Sequence, residues 1–440
     1  MTSYWARYAW LDGGVQERVR LVEADGRWTE VTPNSPYAQE DQRLDGLALP
    51  GLANTHSHAF HRALRGRTHG GGGTFWTWRE GMYALAAQLD PDSYLALARA
   101  VYAEMALAGV TTVGEFHYLH HQAGGRPYAD ANAFGAALIQ AAADAGIRIT
   151  LLDTCYLAGG LDRDGYQPPN QIQQRFSDGS ADQWLARVAE LRAPEHALVG
   201  AAVHSVRAVP EDQLAGVIGA FPDRPLHVHL SEQPAENEAC LARFGRTPTR
   251  LLADRGFGAP GHTAVHATHL TADDIAYLGG TKTNASFCPT TERDLADGIG
   301  PARALQDAGA VITLGSDQNA VIDLLEEARA LEADERLASL QRGRFSPAEL
   351  MNALTQHGHR SLGWADAGRL TLGQRADLVQ LRLDTVRTAG ALPEQVILAA
   401  TASDVATVVV DGRLVVEGGQ HLQHPEPGRG LAAQINQLWP

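Results

Sequence analysis

The stretch Asn54-Thr55-His56-Ser57-His58 carries two histidines at i and i+2. An extended chain directs that spacing to one side, and neutral imidazoles are good ligands for a borderline divalent metal. Taken alone, an H-x-H is as easily a pair of polar loop residues. The run Leu226-His227-Val228-His229-Leu230-Ser231-Glu232 repeats the spacing and places Glu232 three residues beyond His229. A histidine with a carboxylate beyond it suits a ligand followed by a proton-transfer group; the plainer alternative is a buried histidine and a carboxylate at a helix start. Val265-His266-Ala267-Thr268-His269 offers another imidazole, either His266 at the end of the apolar run or His269 in the following loop. Leu314-Gly315-Ser316-Asp317-Gln318 is an apolar run that stops at a carboxylate, although Asp also commonly opens a turn. Each signal is modest. Together they put H-x-H, His, His and Asp at the ends of apolar runs, for which packing alone gives no reason.

Those residues need elements that bring them to one place. Apolar, β-rich runs occur at 52–55, 110–116, 147–152, 197–204, 225–230, 263–266, 283–287 and 310–315. Helical segments alternate with them. One opens at Asp90-Pro91, a cap followed by proline in the first turn, and ends before Gly109; another spans 131–144 and stops at Gly146. Eight strands alternating with helices predict an α/β fold, a (β/α)8 TIM-like barrel over residues 51–366, with functional groups at the C-terminal strand ends. A doubly wound open sheet is the alternative, but no glycine-rich phosphate loop follows the first strand. At both chain ends, β-type runs flank Asp12-Gly13, Asp25-Gly26 and Asp411-Gly412, which are hairpin signals. Residues 1–50 and 367–440 are therefore expected to form one small β-sandwich domain.

Composition narrows the partners. The 440-residue chain has a formal net charge of −15, which argues against nucleic acid or an anionic membrane surface. No apolar run is long enough to span a bilayer, and the N-terminus lacks the basic and apolar regions of a signal peptide. Three cysteines without close spacing exclude a disulfide framework or a cysteine zinc cluster, so a cytoplasmic location is expected.

The histidine and aspartate pattern resembles the amidohydrolase superfamily over nearly the whole chain. That resemblance implies metal ligands at His56, His58, His229 and Asp317, and a water- or substrate-polarising role for His266. Binuclear members carry a carboxylated lysine on strand four; here that strand ends in Val203-His204-Ser205, so one divalent metal, zinc by default, is expected. The stretches PGLANTHSHAFHRALRGRT, FWTWREGMY, GEFHYLHH, AAVHSVRAV, HVHLSEQ, VHATHL, CPTTERDLADGIGP and GSDQNAVID are similar to the formimidoylglutamate deiminases of histidine degradation. This implies a small dianionic substrate, N-formimino-L-glutamate, contacted by His61, Arg79, Tyr118, His204 and Arg207, and a homodimeric enzyme. Guanidinium groups bind carboxylates through two planar hydrogen bonds, which agrees with Arg79 and Arg207 serving a dicarboxylate. Asp317 would take the proton of the attacking water, His266 would stabilise the developing charge, and Glu232 would shuttle protons to the leaving nitrogen. Two other functions are weighed against this one: a deaminase acting on a purine- or pyrimidine-like ring, and a non-catalytic metal-binding scaffold.

Overall fold

The computed structural model describes residues 1–70 and 72–439. Eight parallel strands follow one another in chain order: Leu52–Ser57, Val110–His117, Arg148–Cys155, Ala197–Val203, Leu226–Leu230, His262–His266, Asn284–Phe287 and Val311–Leu314. All eight runs read from the sequence are strands, with ends displaced by three residues or fewer. Sequential order excludes the doubly wound sheet, whose strand order reverses at a switch point. The two edges also meet: Ser57 bridges Asp317 in parallel, and the Thr55 hydroxyl donates to the Leu314 carbonyl at 2.8 Å. The chain thus closes as a (β/α)8 barrel.

The helices between the strands form where their caps predict. Pro91–Leu107 starts after Asp90, whose carboxylate accepts the Ser93 N–H at 2.8 Å. Ala133–Asp144 matches the second expected helix. Two insertions interrupt the alternation of strand and helix. Helix Phe75–Gln88 follows the first strand, and a small hairpin, Gly160–Asp162 with Gly165–Gln167, follows the third. Both lie over the C-terminal end of the barrel.

Both chain ends meet in one mixed, eight-stranded sheet. Its turns fall at Asp12-Gly13, Asp25-Gly26 and Asp411-Gly412, as the sequence predicts. The two-residue period of strands gives this sheet two apolar faces. Leu47, Leu49, Val379, Leu381, Val408 and Val410 join the barrel core, whereas Tyr4, Leu21, Trp28, Leu44, Leu378 and Val409 form a separate core on the far side. No helix among the described residues is long and apolar enough to cross a membrane.

One buried ionic joint ties the sheet to the barrel floor. The Arg148 guanidinium, fully buried, donates to Asp377 at 2.9 Å and to Asp411 at 2.8 Å, with a further bond to Thr112. Trp364 lies against the same guanidinium. Removing one partner of a buried pair strands the other in a low-dielectric interior. Asp377→Ala is therefore expected to lower stability by about 3–5 kcal/mol, read from the denaturant midpoint; a loss below about 1 kcal/mol would show that the joint does not hold the two parts together.

Candidate active site

The strand ends place His56, His58, His229, His266 and Asp317 in one buried cluster. The ligand nitrogens of His56, His58 and His229 all lie within 4.8 Å of one another, as do those of His56 and His266 with an Asp317 oxygen. His56 Nε2 and His58 Nε2 are each 3.4 Å from Asp317 Oδ1, and His229 Nε2 is 3.1 Å from His56 Nε2. Strand-strand pairing slips between Asn54 and Ser57, an irregularity of the kind that re-aims side chains near sites.

Second partners fix the rings. His58 Nδ1 donates to the Phe116 carbonyl at 2.9 Å, and His229 Nδ1 to the His204 carbonyl at 3.0 Å. A carbonyl only accepts, so both Nδ1 atoms carry the proton and both Nε2 atoms turn lone pairs inward. Burial drives the pKa of His56 down to about 3 and that of His58 to about 4. For Asp317 burial opposes ionisation, but His56, His266 and His58 outweigh it and hold the carboxyl well below its usual range. Neutral imidazoles and an ionised carboxylate are the forms a metal requires. His58 Nε2 and His229 Nε2 turn lone pairs inward beside an ionised carboxylate and within 4.8 Å of the His56 ligand nitrogen, an arrangement that suits a cation. The residues present therefore suit a divalent metal.

His266 differs from the other three. Burial opposes its charging, yet Glu232, Glu292 and Asp317 together raise its pKa to about 10. Its Nδ1 is 3.4 Å from Glu292, and its Nε2 is 3.8 Å from Glu232 and 3.9 Å from Asp317. Glu292 is in turn held by the Cys288 N–H at 2.8 Å. The backbone here is strained: Ser231, His266, Ala267, Asp317 and Asn319 all have φ between 41° and 66° without being glycine. Such residues cost about 1–3 kcal/mol each and gather at functional sites.

A cavity of about 190 Å3 opens beside the cluster. His58, His61, Arg79, Tyr118, His204, Arg207, His229, Glu232, His266 and Asp317 all line it, so every anticipated site residue except His56 faces this space; His56 lies fully buried within the cluster beneath. His61 Nε2 is 2.9 Å from the Tyr118 hydroxyl. Arg207 lies 3.5 Å from Glu232 and 3.7 Å from Glu236. Arg79 stacks over Trp76, and no carboxylate pairs with it among the described residues. The two open histidines are placed elsewhere. His227 lies one step of the pleat deeper, 3.3 Å from the Ser361 carbonyl, and His269 sits in the loop, 2.8 Å from the Asp297 carbonyl.

Several lining residues escaped the sequence reading. Phe75, Trp78, Met82 and Tyr83 line the cavity beside the anticipated Arg79, at helical spacing on Phe75–Gln88; an amphipathic pattern was present in FWTWREGMY but faces a pocket instead of the core. Glu236, one turn beyond Glu232, is buried with neither oxygen hydrogen-bonded. Burial and Glu232 push its pKa up to about 7 although Arg207 opposes this. An i, i+4 carboxylate pair on a helix start looks like ordinary first-turn chemistry, so nothing in the sequence marked it.

The family model described as "Amidohydrolase family" matches residues 47–415. A formimidoylglutamate deiminase of Pseudomonas aeruginosa is 36% identical over 457 residues, covering 100% of both chains. An 8-oxoguanine deaminase of the same organism is 31% identical, covering 91% of this chain and 90% of its own. Among solved structures, an amidohydrolase from Brucella melitensis superposes with a TM-score of 0.93 at 31% identity, covering 100% of both chains.

The buried carboxyl of Glu236, whose oxygens accept no hydrogen bond, makes stability pH-dependent. Its folded pKa of about 7 lies above the unfolded value of 4.5, so its favourable, protonated contribution is complete below pH 4.5 and is lost as pH rises to 7. Glu236→Gln escapes that loss. Relative to the parent protein it should gain about 3 kcal/mol between pH 4.5 and 8, measured as paired denaturant midpoints; parallel pH curves would place the Glu236 pKa in the ordinary range. Metal content gives a second check. Asp317→Ala and His58→Ala should each lose at least about tenfold in metal affinity, by elemental analysis after dialysis, while His227→Ala retains it.

Proposed function

We propose that this chain, a carbon–nitrogen hydrolase belonging to the amidohydrolase family, converts N-formimino-L-glutamate and water to N-formyl-L-glutamate and ammonia. The observation that carries the reading is Arg79, a guanidinium without a carboxylate partner among the described residues, on the wall of the cavity that also holds Glu232 and Asp317. A substrate bearing carboxylates is what such a group binds through two hydrogen bonds. Full-length similarity to a formimidoylglutamate deiminase supports the same substrate. In this reading residues 51–366 are the catalytic domain, and 1–50 with 367–440 the accessory β-domain.

His56, His58, His229 and Asp317 would hold one divalent cation, zinc by the nitrogen and oxygen donor set, although such donors also suit iron and manganese. When bound, the cation supplies Lewis acidity and makes water ionisable near neutral pH. Asp317, kept ionised by its imidazole neighbours, takes a proton from the water that adds to the formimino carbon. His266, kept protonated by its three carboxylates, donates towards the developing negative charge. Glu232 carries two protons to the formimino nitrogen, the one taken from the water and the one the added hydroxyl loses as it becomes the formyl carbonyl; the carbon–nitrogen bond breaks, and ammonia leaves. Arg207 lies against Glu232 and so both orders the shuttle and faces the substrate. His61, Tyr118 and His204 complete the wall around the reacting carbon.

The aromatic lining, with Phe75, Trp78 and Tyr156 on the cavity, favours a second reading in which a flat ring stacks there; the similarity to an 8-oxoguanine deaminase points the same way. A non-catalytic scaffold has no use for the full ligand set together with Glu232. The deciding assay is ammonia release by metal-loaded protein from N-formimino-L-glutamate beside guanine, cytosine and adenosine. Release from formiminoglutamate, abolished by chelation, is expected. Release from a ring amine alone would replace the substrate and keep the reaction class. Glu232→Gln should retain metal and lose on the order of a hundredfold in kcat, and Arg79→Ala should raise KM about ten- to a hundredfold with kcat little changed. Normal turnover of the first, or an unchanged KM of the second, would withdraw that residue from its role.

A further inference from the structure

Gln173 lies outside the strand ends, in the short turn Gln173–Phe176 that follows the inserted hairpin. It is 2% exposed. Its Oε1 accepts the Asn170 N–H at 2.9 Å, while the Asn170 side chain accepts the Gln173 N–H at 2.9 Å. This reciprocal pair settles which end of the amide is which, since a backbone N–H cannot meet an amide NH2. Nε2 therefore faces three oxygens: the Gly159 carbonyl at 2.9 Å, the Tyr156 hydroxyl at 2.8 Å and the Tyr83 hydroxyl at 3.0 Å.

Counting hydrogens gives the two hydroxyls a direction. An amide NH2 has two hydrogens and no acceptor. Gly159 can only accept, so it takes one, and the second goes to the tyrosine pair. Neither tyrosine can donate to Nε2. The pair holds two O–H hydrogens, and its own two oxygens can internally accept at most one of them in a single mutual bond. Among the described residues the two hydroxyls make no donated bond to any other group. At least one O–H hydrogen is thus left over, and both tyrosines line the cavity. Arg79 is beside them, its guanidinium carbon 5.5 Å from the Tyr83 ring. A positive charge and a hydroxyl hydrogen presented to the same space form a receptor for a carboxylate.

The geometry points to Gln173 as the positioning residue of an anion subsite, in which Arg79 and the outward hydroxyl hydrogen of the Tyr83–Tyr156 pair bind one carboxylate of the substrate. The identity of that anion as part of N-formimino-L-glutamate rests on the deiminase reading above; the subsite itself rests on the hydrogen count. Gln173 touches no substrate. It acts by fixing the tyrosine oxygens as acceptors on its own side, which leaves them donors on the other.

Two kinds of variant separate this from a structural role. The double variant Tyr83→Phe/Tyr156→Phe deletes only the two oxygens. Gln173→Glu keeps the shape, but its carboxylate would accept the hydroxyl hydrogens and turn them out of the cavity. Binding of L-glutamate to the zinc-loaded protein, by calorimetry, and KM and kcat for N-formimino-L-glutamate are measured on each, with thermal melting as the control for folding. Both variants should weaken glutamate binding and raise KM on the order of tenfold or more, the effect of a lost hydrogen bond to a charged group, with kcat within about threefold. Gln173→Asn, which restores an amide donor, should recover part of the loss. Unchanged glutamate binding and KM in the folded double variant would overturn the subsite, whatever Gln173→Glu does. If the parent protein binds glutamate through these residues yet releases no ammonia from formiminoglutamate, the subsite stands and the substrate assignment falls.

Discussion

The first and eighth strands are joined by backbone hydrogen bonds that run through the candidate ligands themselves. The His56 carbonyl accepts from Ser316 N at 3.1 Å and from Asp317 N at 2.9 Å, and the Asp317 carbonyl accepts from His58 N at 2.9 Å. Side chains reinforce this seam. Asn54 donates to the Ser316 hydroxyl at 2.7 Å and accepts the Ser316 N–H, while Asn319 donates to Ser57 and to the His58 carbonyl. Gly315 is needed for so close an approach, because a Cβ there would come within 2.8 Å of His56 atoms. The left-handed φ of 41° at Asp317 and 56° at Asn319 is held by those same bonds. The distance between Asp317 and the H-x-H pair is consequently set by barrel closure, not by side-chain rotamers. Preorganisation of this kind is what a metal site needs.

Electrostatics in the pocket follows from burial more than from net charge. The chain is strongly acidic, yet its site imidazoles are mostly held neutral, because desolvation dominates at His56, His58, His204 and His229. His266 is the exception only because three carboxylates surround it. The same desolvation leaves Glu236 half-titrated near neutrality behind Arg207. Arg207 thus carries counter-charges on the protein side, whereas Arg79 faces the cavity with aromatic neighbours alone. The two arginines that the sequence offered as equivalents differ in their surroundings: Arg207 is pinned beside Glu232, and under the proposed function Arg79 is the one left to meet an incoming anion.

What was legible in the sequence was whatever repeats with a fixed period or sits at a fixed offset from a strand. The i, i+2 histidines, the carboxylate three residues after His229 and the Asp ending the eighth strand all belong to that class, and each lies where its offset implies. The Asp-Gly turns of the terminal sheet were legible for the same reason. His266 and His269 could not be separated without the resemblance, since the choice depends on where the strand gives way to a left-handed turn at His266 and Ala267. Glu236, Gln173 and the Tyr83–Tyr156 pair were invisible. Their roles depend on contacts across 17 to 90 residues of chain, such as Gln173 with Tyr156 and Tyr83, and no local pattern encodes such contacts.

This division separates two kinds of determinant. The residues proposed to handle the reacting atoms come from strand ends, where hydrogen-bonded neighbours on both sides hold them in place. Further residues proposed to choose the substrate come from the two insertions, Phe75–Gln88 and the segment from Tyr156 to Phe176, which lie over the barrel mouth; Arg175 ties the second to the loop after the second strand through the His121 carbonyl, and Gln173 ties it to the first through Tyr83. Arg175 anchors this segment to the inserted helix by donating to the Leu89 carbonyl at 2.6 Å and to the Ala86 carbonyl. The two insertions are therefore held to each other as one unit. A change of substrate could draw on that unit while the seam and its candidate ligands stay as they are. Loop variation over a constant set of strand ends is how one barrel supports many substrates, and here the boundary between the two runs between Tyr118 on the strand side and Tyr156 on the inserted side.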